Sequence, residues 1–307
     1  MRRDRTGRGG AGVLEAMAAL LATSGVEAAS RWSAVSGVRL HHLEAGGGPP
    51  LVLLHGAGGG AANWYGIIGL LARRFRIFAL DLPGFGLSEP IEPRFELGRQ
   101  IAEIVDTWSR GLGVERFHVC GTSFGGLVAL RLAQRRSDAV RRLAVIDAAG
   151  LGPDVSTVVR LAGLRLLGPI LLRPSRRGTA WLLRRVLTAG RPLDPAVEPA
   201  LVEYLFRSAE AGDRAILARA YRLFAGRRGQ REVLGDAELA ALRMPTLVLW
   251  GRRDAFFPPA HAERAAAVIP QATLKWIDAA GHSPNWEAPQ EVADALLEFF
   301  ADPAGAA

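Results

Sequence analysis

Short apolar runs alternate with amphipathic segments along most of the chain. Six short segments rich in apolar residues have the length of strands and end at turn residues; they occupy 51–54, 76–80, 117–120, 140–146, 245–250 and 273–277. Helical spacing of apolar residues separates them, as at 95–111 and 289–300. Uniformly apolar strands are typical of parallel sheets that are covered on both faces. The pattern predicts an α/β fold, with a mostly parallel sheet and helices on both faces.

This alternation stops after Asp147. Residues 151–240 are rich in Arg, Leu and Pro, show helical spacing, and contain no run that predicts a strand. Because strands resume at 245–250, the helical block is inserted into the sheet domain. We expect an α/β core at 31–150 and 241–302, which includes a hairpin at 31–43, and a helical lid at 151–240.

The first 30 residues are predicted to form an N-terminal extension with one short amphipathic helix. The apolar stretch after the basic start is interrupted by Glu15, which does not fit a secretion signal. Apolar residues there recur at helical spacing, at Val13, Leu14, Met17, Leu20 and Leu21. No stretch approaches the roughly 20 apolar residues that a bilayer span needs. We therefore expect no stable membrane insertion and a cytoplasmic location.

Charge and cysteine content narrow the function classes. The net charge of +8 comes mainly from arginine, and 151–240 holds 15 Arg against 9 Asp and Glu. No basic patch with stacking aromatics or known nucleic-acid module accompanies this excess. A solvated helical face is the simpler interpretation, and attraction of an anionic substrate is the alternative. The single cysteine, Cys120, excludes an intramolecular disulfide.

The segment Gly121-Thr122-Ser123-Phe124-Gly125 carries the strongest chemical signal. It lies between an apolar strand and a segment of good helix formers. The G-x-S-x-G pattern in that context is typical of a nucleophile elbow, in which a tight turn presents the serine to a pocket. Glycines on both sides let the strand and helix approach closely. Ser123 is therefore the candidate nucleophile.

A serine nucleophile needs a base and a group that orients it. Of the six histidines, His282 and His55 follow the carboxyl ends of predicted strands, where ligand sites form in open α/β sheets. We assign His282 as the base, since His55 adjoins a glycine turn. Asp254 is the preferred orienting acid because the chain order becomes Ser, Asp, His. Asp147, which also ends a strand, is the alternative.

Two backbone N–H groups would stabilise an oxyanion formed at this serine. Phe124 follows the nucleophile and begins a helix, so its N–H has no helical acceptor. The second donor is assigned to Ala57 in the glycine-rich loop 55–60. That loop has neither the Lys-Ser/Thr of a phosphate loop nor dinucleotide glycine spacing. The predicted substrate-binding residues are Gly56, Gly58, Asn63, Trp64, Trp181 and Phe256.

Five motifs in order resemble those of lidded serine hydrolases of the α/β-hydrolase superfamily, over about 31–300. They are Leu-His-Gly-Ala-Gly, Asp-Leu-Pro-Gly-Phe-Gly-Leu-Ser, Gly-Thr-Ser-Phe-Gly-Gly, Trp-Gly-Arg-Arg-Asp and Gly-His-Ser-Pro. The resemblance implies that Ser123 is the nucleophile, His282 the base and Asp254 its partner. It also implies that 151–240 is the lid.

Three functions are compatible with these motifs. The first is hydrolysis of a carboxylic ester of a small apolar or aromatic substrate. The second is carbon–carbon bond hydrolysis of a vinylogous diketo acid, because the glycine-rich loop with Asn63-Trp64 resembles that of ring-cleavage-product hydrolases; Ser283, where an aromatic often follows the histidine, departs from that group. The third is a binding protein that kept the pocket. No cofactor and no metal are expected, and the oligomeric state is open.

Overall fold

An eight-stranded sheet forms the centre of the molecule. The computed structural model describes residues 8–189, 192–224, 226 and 229–301. The strands are β1 Ala29–Val35, β2 Val38–Ala45, β3 Pro50–Leu54, β4 Arg76–Leu80, β5 Phe117–Thr122, β6 Val140–Ile146, β7 Thr246–Gly251 and β8 Ala272–Ile277. Their order is β1-β2-β4-β3-β5-β6-β7-β8. Strand β2 pairs antiparallel with β1 and β4, and the other pairs are parallel. The predicted α/β fold is confirmed.

Helices cover both faces of this sheet. The α-helices of the described residues are α1 Arg8–Ala22, α2 Tyr65–Leu71, α3 Leu97–Gly111, α4 Phe124–Arg135, α5 Thr157–Ala162, α6 Gly168–Leu171, α7 Arg176–Leu182, α8 Glu198–Ala211, α9 Arg214–Arg222, α10 Asp236–Ala240, α11 Ala260–Val268, α12 Pro284–Glu287 and α13 Pro289–Phe300. A 3₁₀ turn, Ala61–Trp64, directly precedes α2.

Alternate residues of the strands enter two separate hydrophobic cores. In β5, Val119 packs with the α3 and α4 side, whereas Cys120 packs with the α2 and α13 side. This alternation follows from the two-residue period of a strand. Both faces of the sheet are therefore shielded from solvent, which accounts for the apolar strand segments in the sequence. The parallel strands all end at the same edge, and that edge carries the candidate site.

Helices α5 to α10 all lie between β6 and β7 and form a helical insertion. Helix α1 packs against α8 of this insertion. The predicted apolar stripe faces that contact, since Val13, Met17, Leu20 and Leu21 are buried while Leu14 is 39% exposed. The amphipathic helix therefore docks on its own chain. Among the described residues, none of the helices has the length and apolarity that crossing a bilayer requires.

Candidate active site

Ser123 occupies a strained turn between β5 and α4. Its backbone has φ 52° and ψ −119°, a combination that L-residues rarely adopt. The neighbouring glycines make this turn possible. A Cβ on Gly121 would lie 2.2 Å from the Gly125 carbonyl oxygen, and one on Gly125 would lie 2.2 Å from the Leu54 carbonyl oxygen. The packing thus requires glycine at both positions and projects the serine from the sheet edge.

The structure brings Ser123, His282 and Asp254 together in one chain of hydrogen bonds. The His282 Nε2 atom lies 2.9 Å from Ser123 Oγ. Its Nδ1 atom lies 3.0 Å from each Asp254 carboxylate oxygen. Because a carboxylate only accepts hydrogen bonds, Nδ1 carries the proton and Nε2 accepts from the serine hydroxyl. The side chains of His282 and Asp254 are 3% and 0% exposed, so little water competes for these contacts.

The loop after β7 fixes both Asp254 and the imidazole. The Phe256 N–H donates to Asp254 Oδ1 over 2.6 Å, and the Phe257 N–H donates to the same oxygen over 3.2 Å. The ring of Phe256 stacks on His282 with centroids 4.1 Å apart and an angle of 13° between planes. Phe257 meets the imidazole edge-on at 5.3 Å. Phe256 therefore packs against one face of the His282 ring, a contact that its position in the sequence does not reveal.

The glycine-rich loop after β3 lies directly beside the serine. A Cβ on Gly56 would be 3.2 Å from Ser123 Cβ and 3.7 Å from its Oγ. Within the described part of the chain, neither the Ala57 N–H nor the Phe124 N–H has a hydrogen-bond acceptor. Both are thus available to a ligand at Ser123.

His55 has a structural part in the same loop. Its Nδ1 atom bonds the Gly56 carbonyl oxygen at 2.7 Å, and its Nε2 atom accepts the Leu82 N–H at 2.9 Å. Complete burial lowers the pKa of His55, although the nearby Asp81 carboxylate opposes that shift. The neutral ring therefore ties the glycine loop to the segment after β4.

Asp147, the alternative acid, lies next to Asp254 but is not the carboxylate that bonds His282. It ends β6 with φ 44°, is fully buried, and accepts the Gly251 N–H at 2.9 Å. Burial raises the pKa of Asp147 well above its usual range, and the negative charge of Asp254 raises it further. This environment favours the neutral form of Asp147.

Three of the predicted substrate-binding residues differ in how accessible they are to a ligand. Trp64 is fully buried in the core between the sheet, α2 and α13, and Asn63 is 5% exposed with its Oδ1 accepting the Gly60 N–H at 3.4 Å. The Asn63 carbonyl also accepts the Trp286 indole N–H at 2.7 Å. Trp181 is 56% exposed on α7. Aromatic and amide residues beside a predicted loop are as often structural, and sequence spacing alone cannot separate the two cases.

The helical insertion contacts the site at points that the sequence did not indicate. The Tyr204 hydroxyl accepts the Ala62 N–H at 3.3 Å. A Cβ on Gly58 would lie 3.5 Å from Leu217 Cδ1, and one on Gly281 would lie 2.6 Å from the Ala189 backbone nitrogen. These contacts join residues far apart in the chain. They place the insertion against both the glycine loop and the loop of His282.

Comparison with known proteins agrees with this architecture. The model of the alpha/beta hydrolase family matches residues 51–295. The chain belongs to the alpha/beta hydrolase family. As a hydrolase of this family, it has the fold that its motifs predicted.

Proteins that are similar to this chain carry different functional descriptions. An uncharacterized protein of Mycobacterium tuberculosis is 31% identical over 278 residues, which are 87% of this chain and 80% of that one. A 2-hydroxy-6-oxononadienedioate/2-hydroxy-6-oxononatrienedioate hydrolase of Comamonas testosteroni is 27% identical over 87% of this chain and 93% of its own. The crystal structure of a bacterial membrane phospholipase A superposes with a TM-score of 0.76 and 29% identity, covering 94% of this chain and 93% of that one.

Proposed function

We propose that this hydrolase cleaves a carboxylic ester of a small apolar or aromatic substrate through an acyl-enzyme on Ser123. The observation that carries the proposal is the hydrogen-bond chain from Ser123 Oγ through His282 to Asp254, with distances of 2.9 Å and 3.0 Å. A serine hydroxyl becomes a useful nucleophile when a base held in the correct tautomer accepts its proton. Here the Asp254 carboxylate holds His282 in the tautomer with the proton on Nδ1.

The reaction follows from the positions of these groups. The Ser123 oxygen attacks the ester carbonyl while His282 Nε2 accepts the hydroxyl proton. The carbonyl oxygen becomes an anion, and the N–H groups of Ala57 and Phe124 donate to it. Removing one such donor in comparable sites costs on the order of 10²–10³ in rate. Asp254 stabilises the imidazolium during this step.

Collapse of the tetrahedral intermediate expels the alcohol. His282 returns the proton to that leaving oxygen, so the alcohol departs neutral and the acyl group stays on Ser123. A water molecule then attacks the acyl-enzyme as His282 accepts one of its protons. The carboxylic acid is released, and the serine regains its hydrogen.

The direct test combines covalent labelling with turnover. A fluorophosphonate should modify Ser123, located by peptide mapping, and p-nitrophenyl esters should be hydrolysed. Ser123→Ala should not be labelled, and its ester turnover should fall by several orders of magnitude. Its melting temperature should be unchanged. Labelling of a different serine, or unchanged turnover in Ser123→Ala, would refute the proposal. Ligand binding without any ester turnover by the wild type would instead favour a binding protein.

A second candidate is carbon–carbon bond hydrolysis. The observation that favours it is the 27% identity to the Comamonas testosteroni hydrolase across 87% of the chain. Against it, the Asn63 side chain turns toward Gly59 and Gly60 and is 5% exposed. Turnover of a vinylogous 1,5-diketo acid, compared with p-nitrophenyl esters of increasing chain length, separates the two candidates. We propose a small-molecule substrate in either case.

A further inference from the structure

The turn between α5 and α6 presents an unusual number of large apolar side chains to solvent. Of the ten large hydrophobic residues that are exposed in the described chain, six lie within eleven consecutive positions. Leu166 is 85% exposed and Ile170 is 70% exposed. We call this set the hairpin surface: Leu161, Leu164, Leu166, Leu167, Ile170 and Leu171. Isolated exposed leucines are ordinary, but a local concentration of this kind marks an interaction surface.

The stretch of sequence that carries the hairpin surface is rich in arginine and contains no acidic residue. Residues 155–193 contain eight arginines and neither Asp nor Glu. Arg176 and Arg184 reach outward to Glu203 and Glu198 on α8. Within the described ranges, Arg165, Arg173 and Arg177 are exposed and form no ion pair with a carboxylate.

Helix α9, which contacts both α5 and α6, adds further positive charge. Partial burial lowers the pKa of Arg222, and the positive charges of Arg219, Arg165 and Arg231 lower it further. Arg165 therefore belongs to a group of like charges beside the leucines. Such a group is stabilised by an anionic partner.

If this surface were only a solvated arginine face, its exposed leucines would have no role. If it were only an apolar contact, its excess of arginines would have no role. Exposed leucine and isoleucine interspersed with exposed arginine match the chemistry of an anionic bilayer, where apolar side chains enter the acyl boundary and cations meet the headgroups. We propose that the hairpin surface binds the surface of an anionic phospholipid membrane.

The insertion links this surface to the catalytic centre. Immediately before α5, the Ser156 N–H donates to the Phe256 carbonyl oxygen at 3.0 Å, and Phe256 stacks on His282. On the other side, α9 places Leu217 beside Gly58 in the glycine loop. A bilayer on the hairpin surface would therefore contact the same insertion that meets Phe256 and the glycine loop beside Ser123. The substrate class that follows, an acyl ester drawn from the membrane, rests on the proposed ester hydrolysis.

Vesicle cosedimentation tests the membrane contact without turnover. The full chain carrying Ser123→Ala is mixed with vesicles of phosphatidylcholine alone or of phosphatidylcholine mixed with anionic phosphatidylglycerol. We expect binding to the anionic vesicles only, and weaker binding as salt rises. Arg165→Gln/Arg173→Gln should reduce partitioning roughly fivefold for each arginine removed. Leu166→Asp/Ile170→Asp should reduce it by more than tenfold.

Matched variants control for charge and exposure. Arg73→Gln removes an exposed arginine before β4, at the opposite edge of the sheet, and Leu14→Asp changes an exposed leucine on α1. Both should bind anionic vesicles like the parent, and all variants should keep its melting temperature. Equal binding to both vesicle types, no binding, or full binding by Leu166→Asp/Ile170→Asp would overturn the proposal. Self-association that Leu166→Asp/Ile170→Asp abolishes, without vesicle binding, would assign the surface to a second copy of the chain.

Turnover of a soluble p-nitrophenyl ester by the wild type separates this inference from the proposed function. Soluble turnover without vesicle binding overturns the membrane contact alone. Vesicle binding without ester turnover supports the membrane contact and overturns the assignment of its substrate class.

Discussion

The ring of Phe256 lies flat against the imidazole of His282, with centroids 4.1 Å apart and planes 13° from parallel. This contact limits rotation of the imidazole, which the carboxylate of Asp254 bonds along one edge only. It also connects the base to the start of the helical insertion, because the Phe256 carbonyl accepts the Ser156 N–H. The orientation of the base thus depends on packing as well as on hydrogen bonding.

Phe256→Ala should lower kcat by roughly fivefold to tenfold, since an aromatic pair contributes about 1 kcal/mol beyond its buried area. The backbone N–H of residue 256 would still bond Asp254, so the acid should remain in place. Steady-state kinetics on a p-nitrophenyl ester measures the change. Phe256→Leu keeps most of the volume and should recover part of the rate. Unchanged kcat in Phe256→Ala would show that the stacking does not position His282.

Asp254→Asn should reduce kcat by on the order of 10³–10⁴, because an amide can present an N–H to Nδ1 and favour the wrong tautomer. Asp147→Asn should have little effect, since an amide replaces a neutral carboxylic acid and its oxygen can still accept the Gly251 N–H. The pair of variants is compared by kcat under identical conditions. The opposite ranking would transfer the orienting role to Asp147.

The stability of Asp147→Asn relative to the wild type should increase with pH. Burial, followed by the Asp254 charge, raises the pKa of Asp147 in the folded protein above its value of 3.8. Between that value and the raised one, the folded state binds the proton more tightly than the unfolded state. The wild type therefore loses stability as pH rises through this window, whereas the amide does not. Urea unfolding from pH 4 to pH 8 measures the difference, and parallel curves would contradict it.

Gly56→Ala should lower kcat/KM by about 10–100-fold with little change in stability. The added Cβ would lie 3.2 Å from Ser123 Cβ, so the serine or the loop that carries Ala57 must shift, and displacements near 1 Å cost about 10² in rate. Gly47→Ala provides the control, because no atom lies within 4 Å of its Cβ position. Normal kinetics in Gly56→Ala would place the glycine loop outside the reacting geometry.

Leu20→Ala should destabilise the protein by about 2–3 kcal/mol, since a fully buried side chain between α1 and the rest of the fold would leave a cavity. Leu14→Ala on the same helix alters a residue that is 39% exposed and should change the free energy of unfolding by less than about 0.5 kcal/mol. Chemical denaturation measures both. Equal losses would show that α1 does not pack as described.

The local sequence was sufficient for the strands, the elbow and the order of the motifs. Strand periodicity depends on neighbouring residues only, and the glycines around Ser123 act through contacts within one turn. The choice of Asp254 over Asp147 followed from chain order, and the hydrogen bonds of His282 are consistent with it. Local sequence does not separate the roles of the aromatic residues: Trp64 is in the core, whereas Phe256 packs on the His282 ring.

The sequence by itself therefore determined the α/β architecture and the order of the hydrolase motifs, because those depend on short-range periodicity and turn chemistry. Tertiary structure alone decided which side chains meet. The contacts of Tyr204 with Ala62, of Leu217 with Gly58 and of Phe256 with His282 join segments whose separation carries no local signal. Their positions result from the packing of the helical insertion on the sheet edge, which buries surfaces that no single segment encodes.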